Sequence, residues 1–364
     1  MQLAGLEDGY YNKTLKPHIN ISVFGFLRLQ ILGDLIELER KFKRPKDLKK
    51  SGFSCSAFIL PIKDINDIYV SHVTWAPYST MLRMQKLYRF KFHLDRGTAL
   101  ETPITSTFSS YPGTLWSIDD FYLLSSGLAV TETTIDCRNE SLLEYIRPEN
   151  ALLTWIRTTL ANRLATDGLH WTTLFSMFNS GTYNNQWMIV NYKALKRACK
   201  NMADAQCKSP RKHIFFVLEQ LPNSITVDDL TSVLYSDSYW PSFNLPYFQS
   251  IYNISGNLDL VKKYGDFFSY ENSPRHRMFK RDWQKVQDMS TLLKLMRYNQ
   301  YYNDSLSECD CNPKHNAELA ISSRGDLNPP NGTYPFDELH CRSHGGTDVK
   351  VSIIQLYDTC CNTK

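Results

Sequence analysis

The stretch GTLWSIDDFYLLSSGLAVTETTI, residues 113–135, holds three short runs rich in β-branched and aromatic residues, at 113–118, 121–126 and 128–135. Pro112-Gly113, Asp119-Asp120 and Gly127 punctuate them at hairpin spacing, so the runs read as neighbouring strands of an antiparallel sheet. Working outward, CSAFILP (55–61), DIYVSHVTW (67–75), QWMIVNY (186–192) and HIFFVLEQL (213–221) have the same texture. Helical periodicity lies in separate segments. At 149–166, Leu152, Ile156, Leu160 and Leu164 recur every four residues before Asp167-Gly168, and a second helical pattern spans 283–298. At 19–39, the spacing of Phe24, Leu27, Ile31, Leu35 and Leu38 predicts one amphipathic helix with that apolar stripe inward. Strands in blocks and helices apart imply an α+β architecture rather than a parallel doubly wound sheet.

With 364 residues, 42% of them hydrophobic and 21% charged, the chain can bury a full core, which excludes wholesale disorder. A net charge of +4 gives no polyanion footprint, so nucleic acid is not an expected partner. No apolar stretch reaches the ~18 residues of a bilayer span. No Gly-rich phosphate loop or long repeat is visible, and no cofactor is implied. Nine cysteines cannot all pair within the chain. Asn-x-Ser/Thr sequons begin at Asn12, Asn20, Asn139, Asn253, Asn303 and Asn331 and point to the secretory route, yet MQLAGLEDGYYNKT has no apolar h-region of a signal peptide.

Residues 41–54, KFKRPKDLKKSGFS, form a basic stretch without periodicity that reads as an exposed linker, the kind of segment proteases favour. Cys55 stands where this linker meets a strand. Cleavage after Ser54 would make Cys55 an N-terminus whose α-amine, with a reference pKa of ~7.7–8.0, can act as base for its own thiol. The cut can be self-inflicted, through attack of the thiol on the Ser54 carbonyl.

The runs GLEDGY, CSAFILP, SHVTWAPYSTMLRM, SSYPGTLWSIDDFYLLSSGLAVTETTI, FNSGTYNNQWMIVNYK, YWPSFNLPYF, YGDFFSYENSPR, SRGDLNPPNGTYPF and SHGGTDVKV, spread from the first residues to about residue 352, resemble the phospholipase B-like family. That resemblance implies an N-terminal nucleophile hydrolase: an αββα sandwich of two mainly antiparallel sheets between helical layers, with an active site like those of choloylglycine hydrolase and penicillin V acylase. It also implies a lysosomal or extracellular glycoprotein that hydrolyses acyl ester or amide bonds of lipids after cleavage between Ser54 and Cys55. Carried over residue by residue, the nucleophile is Cys55. His72 and Trp75 of SHVTW, Thr134 of the ETT motif, Asn244 of FNLPYF and Arg275 of SPR complete the site. Asn244 would donate to the oxyanion. Arg275 would hold the thiolate or order the surroundings of the amine, Thr134 would bond the amine, and Trp75 would wall an acyl pocket. His72 and Trp75 fall on opposite faces of a regular strand, so both reach one pocket only if the strand ends or bulges between them.

The resemblance divides the chain into a remnant of the family's N-terminal fragment (1–40) packed on the main domain, the linker (41–54), the hydrolase core (55–352) and a divergent tail (353–364), with the fold expected to be incomplete at both ends. A non-catalytic lipid- or glycan-binding glycoprotein, or an inactive truncated member, is the alternative. Arg324-Gly325-Asp326 spells an adhesion tripeptide but lies in a family block and is read as coincidence. Cys309, Cys311, His340, Cys341 and His344 do not have structural zinc spacing, so no metal is expected there. The resemblance implies a disulfide in this region with two residues between its cysteines, whereas Cys309 and Cys311 have one, which makes a small, strained ring and leaves that bridge open.

Overall fold

The computed structural model describes residues 2–12, 19–42, 54–62, 66–90, 104–198 and 212–353. Among these residues, eleven strands form two antiparallel sheets. The strands are β1 (Ser54–Ile62), β2 (Asp67–Pro77), β3 (Met84–Tyr88), β4 (Ser106–Ser110), β5 (Phe121–Leu124), β6 (Leu128–Thr134), β7 (Asn185–Asn191), β8 (Phe215–Leu221), β9 (Ser224–Asp229), β10 (Trp240–Ser242) and β11 (His344–Ser352). The smaller sheet runs β10-β1-β2-β11 and the larger runs β3 to β9 in sequence order. The helices are α1 (Gln2–Tyr11), α2 (Val23–Gln30), α3 (Leu35–Lys41), α4 (Thr154–Leu164), α5 (Gly168–Ser176), α6 (Tyr192–Ala198), α7 (Thr231–Asp237), α8 (Gln249–Ile254), α9 (Asn257–Tyr264), α10 (Pro274–Asp282) and α11 (Met289–Met296).

The two sheets pack face to face. Ala57, Ile59, Ile68 and Val70 of the small sheet meet Phe121, Leu123, Ala129, Met188, Val190 and Val217 of the large one. The outer face of the large sheet is covered by α4 and α5 through Ala161, Trp171 and Phe175. The outer face of the small sheet is covered by α10 and α11 through Met278, Phe279, Leu292 and Met296. This is a helix–sheet–sheet–helix sandwich. It explains why β1 is apolar almost throughout: seven consecutive residues, Cys55–Pro61, are buried, because the strand is covered on both faces. The β5–β6 hairpin turns at Gly127, whose φ of 95° suits glycine and whose Cβ would strike Lys193.

Three expectations need correction. Residues 113–118 are turn, not strand, and Thr114–Ser117 instead fold around Ser110 and Gln30. The 19–39 segment is two helices, α2 and α3, with Phe24 79% exposed. Its buried stripe is Phe26, Gln30, Asp34 and Glu37, mostly polar. Gln30 bonds Gly113 O and Leu115 N, Asp34 accepts from Thr154 N and the Thr182 hydroxyl, and Glu37 accepts from Tyr183 N and the Asn184 amide. Third, α4 exposes Leu160 and buries Thr154, Arg157, Thr158, Ala161 and Asn162. These three helices dock on polar loops whose backbone groups need partners, so the inward faces carry polar groups rather than leucines. The linker expected at 41–54 lies outside the described residues from 43 to 53, as does the tail beyond 353.

Candidate active site

Cys55 is the second residue of β1 and is 1% exposed. It pairs with Thr74, while Ala57 pairs with His72 and Ser54 with Trp75. β2 runs unbroken from Asp67 to Pro77, and the irregularity beside it belongs to β11, between Gly346 and Asp348. Strand alternation therefore separates the candidates. His72 shares the inter-sheet face with Ala57 and Cys55, and Trp75 belongs to the outer core under the helices.

On the inter-sheet face, the Cys55 thiol, a ring nitrogen of His72 and a carboxylate oxygen of Glu132 lie within 4.8 Å of one another. This is the donor set that could hold a metal ion. His72 Nε2 is buried without a hydrogen-bond partner, and Nδ1 faces the Thr74 hydroxyl at 3.5 Å. Burial, reinforced by the charges of Glu132 and Asp119, pushes the thiol well above its ordinary range. Burial and nearby Lys350 hold the imidazole well below its own. The thiol and the imidazole beside it are thus both neutral in the uncut chain.

Behind this trio is a buried polar layer. Tyr183 donates to Asp120 Oδ2 at 2.7 Å and lies 3.3 Å from Glu132 Oε1, and burial raises both carboxyls. Tyr183 adopts φ 49°, in the left-handed region. Its ring lies under Gly33, where a Cβ would come within 2.7 Å. Arg83 and Lys350 engage Asp119 and Asp348, at 2.6 Å for Arg83–Asp119 and 2.9 Å for Lys350–Asp348.

The outer side has a second cluster. Arg275, at the start of α10, donates through Nη1 to Cys55 O (2.7 Å), Asn244 Oδ1 (2.8 Å) and Ser56 Oγ (3.1 Å), and its guanidinium sits 4.4 Å from the Trp75 ring centre. Burial lowers the guanidinium to about 9, so it remains a cation at neutral pH. Asn244, at φ 66°, accepts from Cys55 N at 3.4 Å and donates to Thr134 O at 2.7 Å. Trp75 donates to Ile321 O. The structure thus gathers Cys55, Asn244, Arg275 and Thr134 around the Cys55 backbone. It brings His72 alone among the remaining candidates to the thiol, and sets Trp75 beneath Arg275. Thr134 reaches the cluster through its carbonyl, and it is Asn244 Oδ1 that meets the Cys55 nitrogen.

Sequence reasoning missed Glu132, Asp120, Tyr183, Lys350 and Glu219. Glu219 accepts from Tyr247 N (2.6 Å), Phe248 N (3.1 Å) and the Gln186 amide (2.6 Å), and so fixes the FNLPYF loop that presents Asn244. The available signal was an acid inside a strand-forming run, as in LAVTETTI and HIFFVLEQL, because a buried carboxylate requires a ring of donors. A cavity of about 510 Å³ is lined by Tyr145, Arg147, Glu149, Asn179, Asn223 and their neighbours, none of them a residue of this site. Beside Arg275 lies a void of about 10 Å³.

Elsewhere, Cys309 and Cys311 form the disulfide that their spacing left open, and so are not free to bind metal. Asp326 of the adhesion-like tripeptide is held by Arg324 (2.8 Å) and the Tyr78 hydroxyl (2.6 Å). Asn12, Asn20, Asn253, Asn303 and Asn331 are exposed, whereas Asn139 is half-buried with its amide bonded to Ile254 O, Ser141 N and Ser141 Oγ.

The architecture is an αββα sandwich with a cysteine at the head of an inner strand. The sequence matches the family model described as Phospholipase B over residues 1–362, and the chain belongs to that family. The mouse protein named "Putative phospholipase B-like 2" is 47% identical over 364 residues, covering 98% of this chain and 60% of that protein. The Dictyostelium discoideum phospholipase B-like protein B is 38% identical over 367 residues, again covering 98% of this chain and 60% of the relative. The chain therefore spans about three fifths of the length of these relatives. Among solved structures, a mutant of conjugated bile acid hydrolase from Clostridium perfringens aligns with 68% of this chain and 80% of its own at 12% identity and a TM-score of 0.36. Penicillin V acylase from Agrobacterium tumefaciens aligns with 66% and 69% at 9% identity and a TM-score of 0.35. Likenesses of that size are too slight to carry an inference.

Proposed function

We propose that the chain is a thiol hydrolase that cleaves acyl ester or amide bonds of lipids through Cys55, made N-terminal by cleavage after Ser54. The observation that carries this is the convergence on one residue: the Cys55 nitrogen on Asn244, its carbonyl on Arg275 and its sulfur beside His72. In the uncut chain no α-amine exists at Cys55, so His72 is the base for maturation. It takes the thiol proton as sulfur attacks the Ser54 carbonyl. The C–N bond then breaks, the Cys55 nitrogen leaves protonated, and water hydrolyses the thioester to a Ser54 carboxylate and a free thiol. In turnover the liberated amine, oriented by Asn244 Oδ1, accepts the thiol proton as sulfur attacks the lipid acyl carbon. The proton passes to the leaving alcohol or amine, and water releases the fatty acid. Arg275 fixes the Cys55 peptide plane, which keeps the sulfur aligned. The exposed sequons support a lysosomal or extracellular glycoprotein.

N-terminal sequencing of the mature large fragment, with labelling by a thiol-directed acyl probe, tests this. The expected result is a fragment beginning at Cys55 and labelling lost in Cys55→Ala. An uncut chain that is fully active, or an active one cut elsewhere, overturns it.

A further inference from the structure

The inter-sheet cluster contains more acid than its cations match. Arg83 and Lys350 are engaged with Asp119 and Asp348. Among the described residues, neither Asp120 nor Glu132 has a cation within ion-pair distance, although both are fully buried. The imidazole of His72 is equally buried, and its Nε2 has no partner. Buried polar groups in native folds are satisfied, and exceptions ask for a ligand or a role. Thiol, imidazole and carboxylate each offer one atom within 4.8 Å of the others, and in this mixed set the soft sulfur and borderline imidazole select zinc-like ions over magnesium or calcium. Zinc bonds of ~2.3 Å to sulfur and ~2.0–2.2 Å to nitrogen or oxygen would draw the three atoms together by roughly an ångström, within the reach of side-chain rotation. The tetrahedron would then have one position open.

We propose that Cys55, His72 and Glu132 form a three-ligand site for a zinc-class divalent ion, and that this ion occupies the nucleophile and silences it reversibly. Binding forms a sulfur–metal bond as the thiol proton is lost to solvent, so the metal and an acyl carbon compete for one lone pair. The inhibitory consequence rests on the assignment of Cys55 as the nucleophile; the site itself does not.

The test is titration of the chelator-treated full chain with Co²⁺, read by the thiolate-to-cobalt charge-transfer absorption and by visible bands of tetrahedral intensity. It is carried out in the wild type and in a background where Cys137, Cys199, Cys207, Cys341, Cys360 and Cys361 are Ser. One Co²⁺ per chain, displaced by Zn²⁺, is expected in both. Cys55→Ser should abolish the charge-transfer band. His72→Ala and Glu132→Gln should each weaken binding at least as much as the ~10- to 100-fold lost with an outer-shell partner. Zn²⁺ should block acyl-probe labelling of Cys55, and chelator should restore it. Absence of the band in the wild type, or its persistence at full affinity in both His72→Ala and Glu132→Gln, overturns the site without recourse to any variant that fails to fold. Labelling that survives saturating Zn²⁺ overturns the silencing. A cobalt band in a chain whose metal-free form takes no acyl probe supports the site while refuting the hydrolase assignment, so the two fail separately.

Discussion

Stability should fall as the pH rises from 5 to 8 because buried carboxyls bind protons in the fold, and Glu37 and Glu219 supply a part of that fall whose size can be worked out. Burial lifts Glu37 to about 7, aided by the nearby charge of Asp136, and lifts Glu219 to about 7. Each is surrounded by neutral donors, Tyr183 N and the Asn184 amide for Glu37, and Tyr247 N, Phe248 N and the Gln186 amide for Glu219. In the unfolded chain both titrate near ~4.3, so the native state binds more protons between the two values and unfolding becomes easier as pH rises. The stabilisation is fully present below the unfolded pKa and lost through pH 7. Integrated from pH 5 to 8, each group contributes about 2 to 3 kcal/mol, or about 5 for the pair. That is a large share of the ~5–15 kcal/mol of an ordinary domain. Asp34, Asp120 and Glu132, also raised by burial, act in the same direction, and the buried neutral imidazole of His72 opposes it below about pH 6.5, where the unfolded chain takes up a proton that the fold does not. Carboxylates held below their usual range by arginine or lysine, such as Asp304 and Asp348, oppose it only at more acidic pH. Urea unfolding of the wild type and of Glu37→Gln/Glu219→Gln at pH 5 and pH 8 measures it. The wild type should lose stability over that interval and the double variant should lose about 5 kcal/mol less. A wild-type midpoint that is flat or rises with pH, or a double variant that falls as steeply, refutes the assignment of these carboxyls as proton-binding in the fold.

Gly33→Ala places a methyl against the Tyr183 ring and should lower stability by roughly 1–3 kcal/mol, seen as a lower melting temperature, whereas Gly9→Ala, with open space around it, should be neutral or slightly stabilising. Arg275→Lys keeps the charge but loses the planar fork over Trp75 and onto Cys55 O, and should slow acyl-probe labelling of Cys55 by on the order of tenfold or more with little change in fold by circular dichroism. Glycopeptide mass spectrometry should find Asn139 unoccupied while exposed sequons such as Asn253 and Asn303 carry glycan, because the Asn139 amide is already bonded at both ends.

The strands were legible because β-type runs bounded by turn residues survive into the fold with boundaries shifted by only a residue or two at β1, β2, β6 and β7. The run at 113–118 misled because Leu115, Trp116 and Ile118 have strand composition but serve a turn that Gln30 closes through Gly113 and Leu115. The helices misled about orientation rather than existence. In α2–α3 and α4 the apolar stripe is a correct sign of helix, yet the inward face is chosen by backbone groups of the 113–115 and 180–184 loops, which need partners more than the leucines need burial. A periodicity count measures only the second demand.

The site divides the same way. Cys55 is conspicuous as the one cysteine at a linker–strand junction, and strand parity alone separates His72 from Trp75, a separation that the unbroken β2 preserves. The supporting acids were hidden because they sit within strands or in a pair that looks like a turn signal. Asp119-Asp120 does break the chain between 118 and 121, but Asp120 points its carboxyl into the interior to meet Tyr183. Tyr183 is in turn pressed by Gly33 and bonded through its backbone to Glu37. A chain of contacts therefore runs from the helices that precede the proposed cleavage point to the carboxyl beside the Cys55 sulfur. If residues 23–41 remain bound after cleavage they complete the wall behind the nucleophile, so removing them should disorder Tyr183 and release Glu132, which predicts that the fragment from Cys55 onward loses acyl labelling when the segment is stripped away and regains it when the segment is added back.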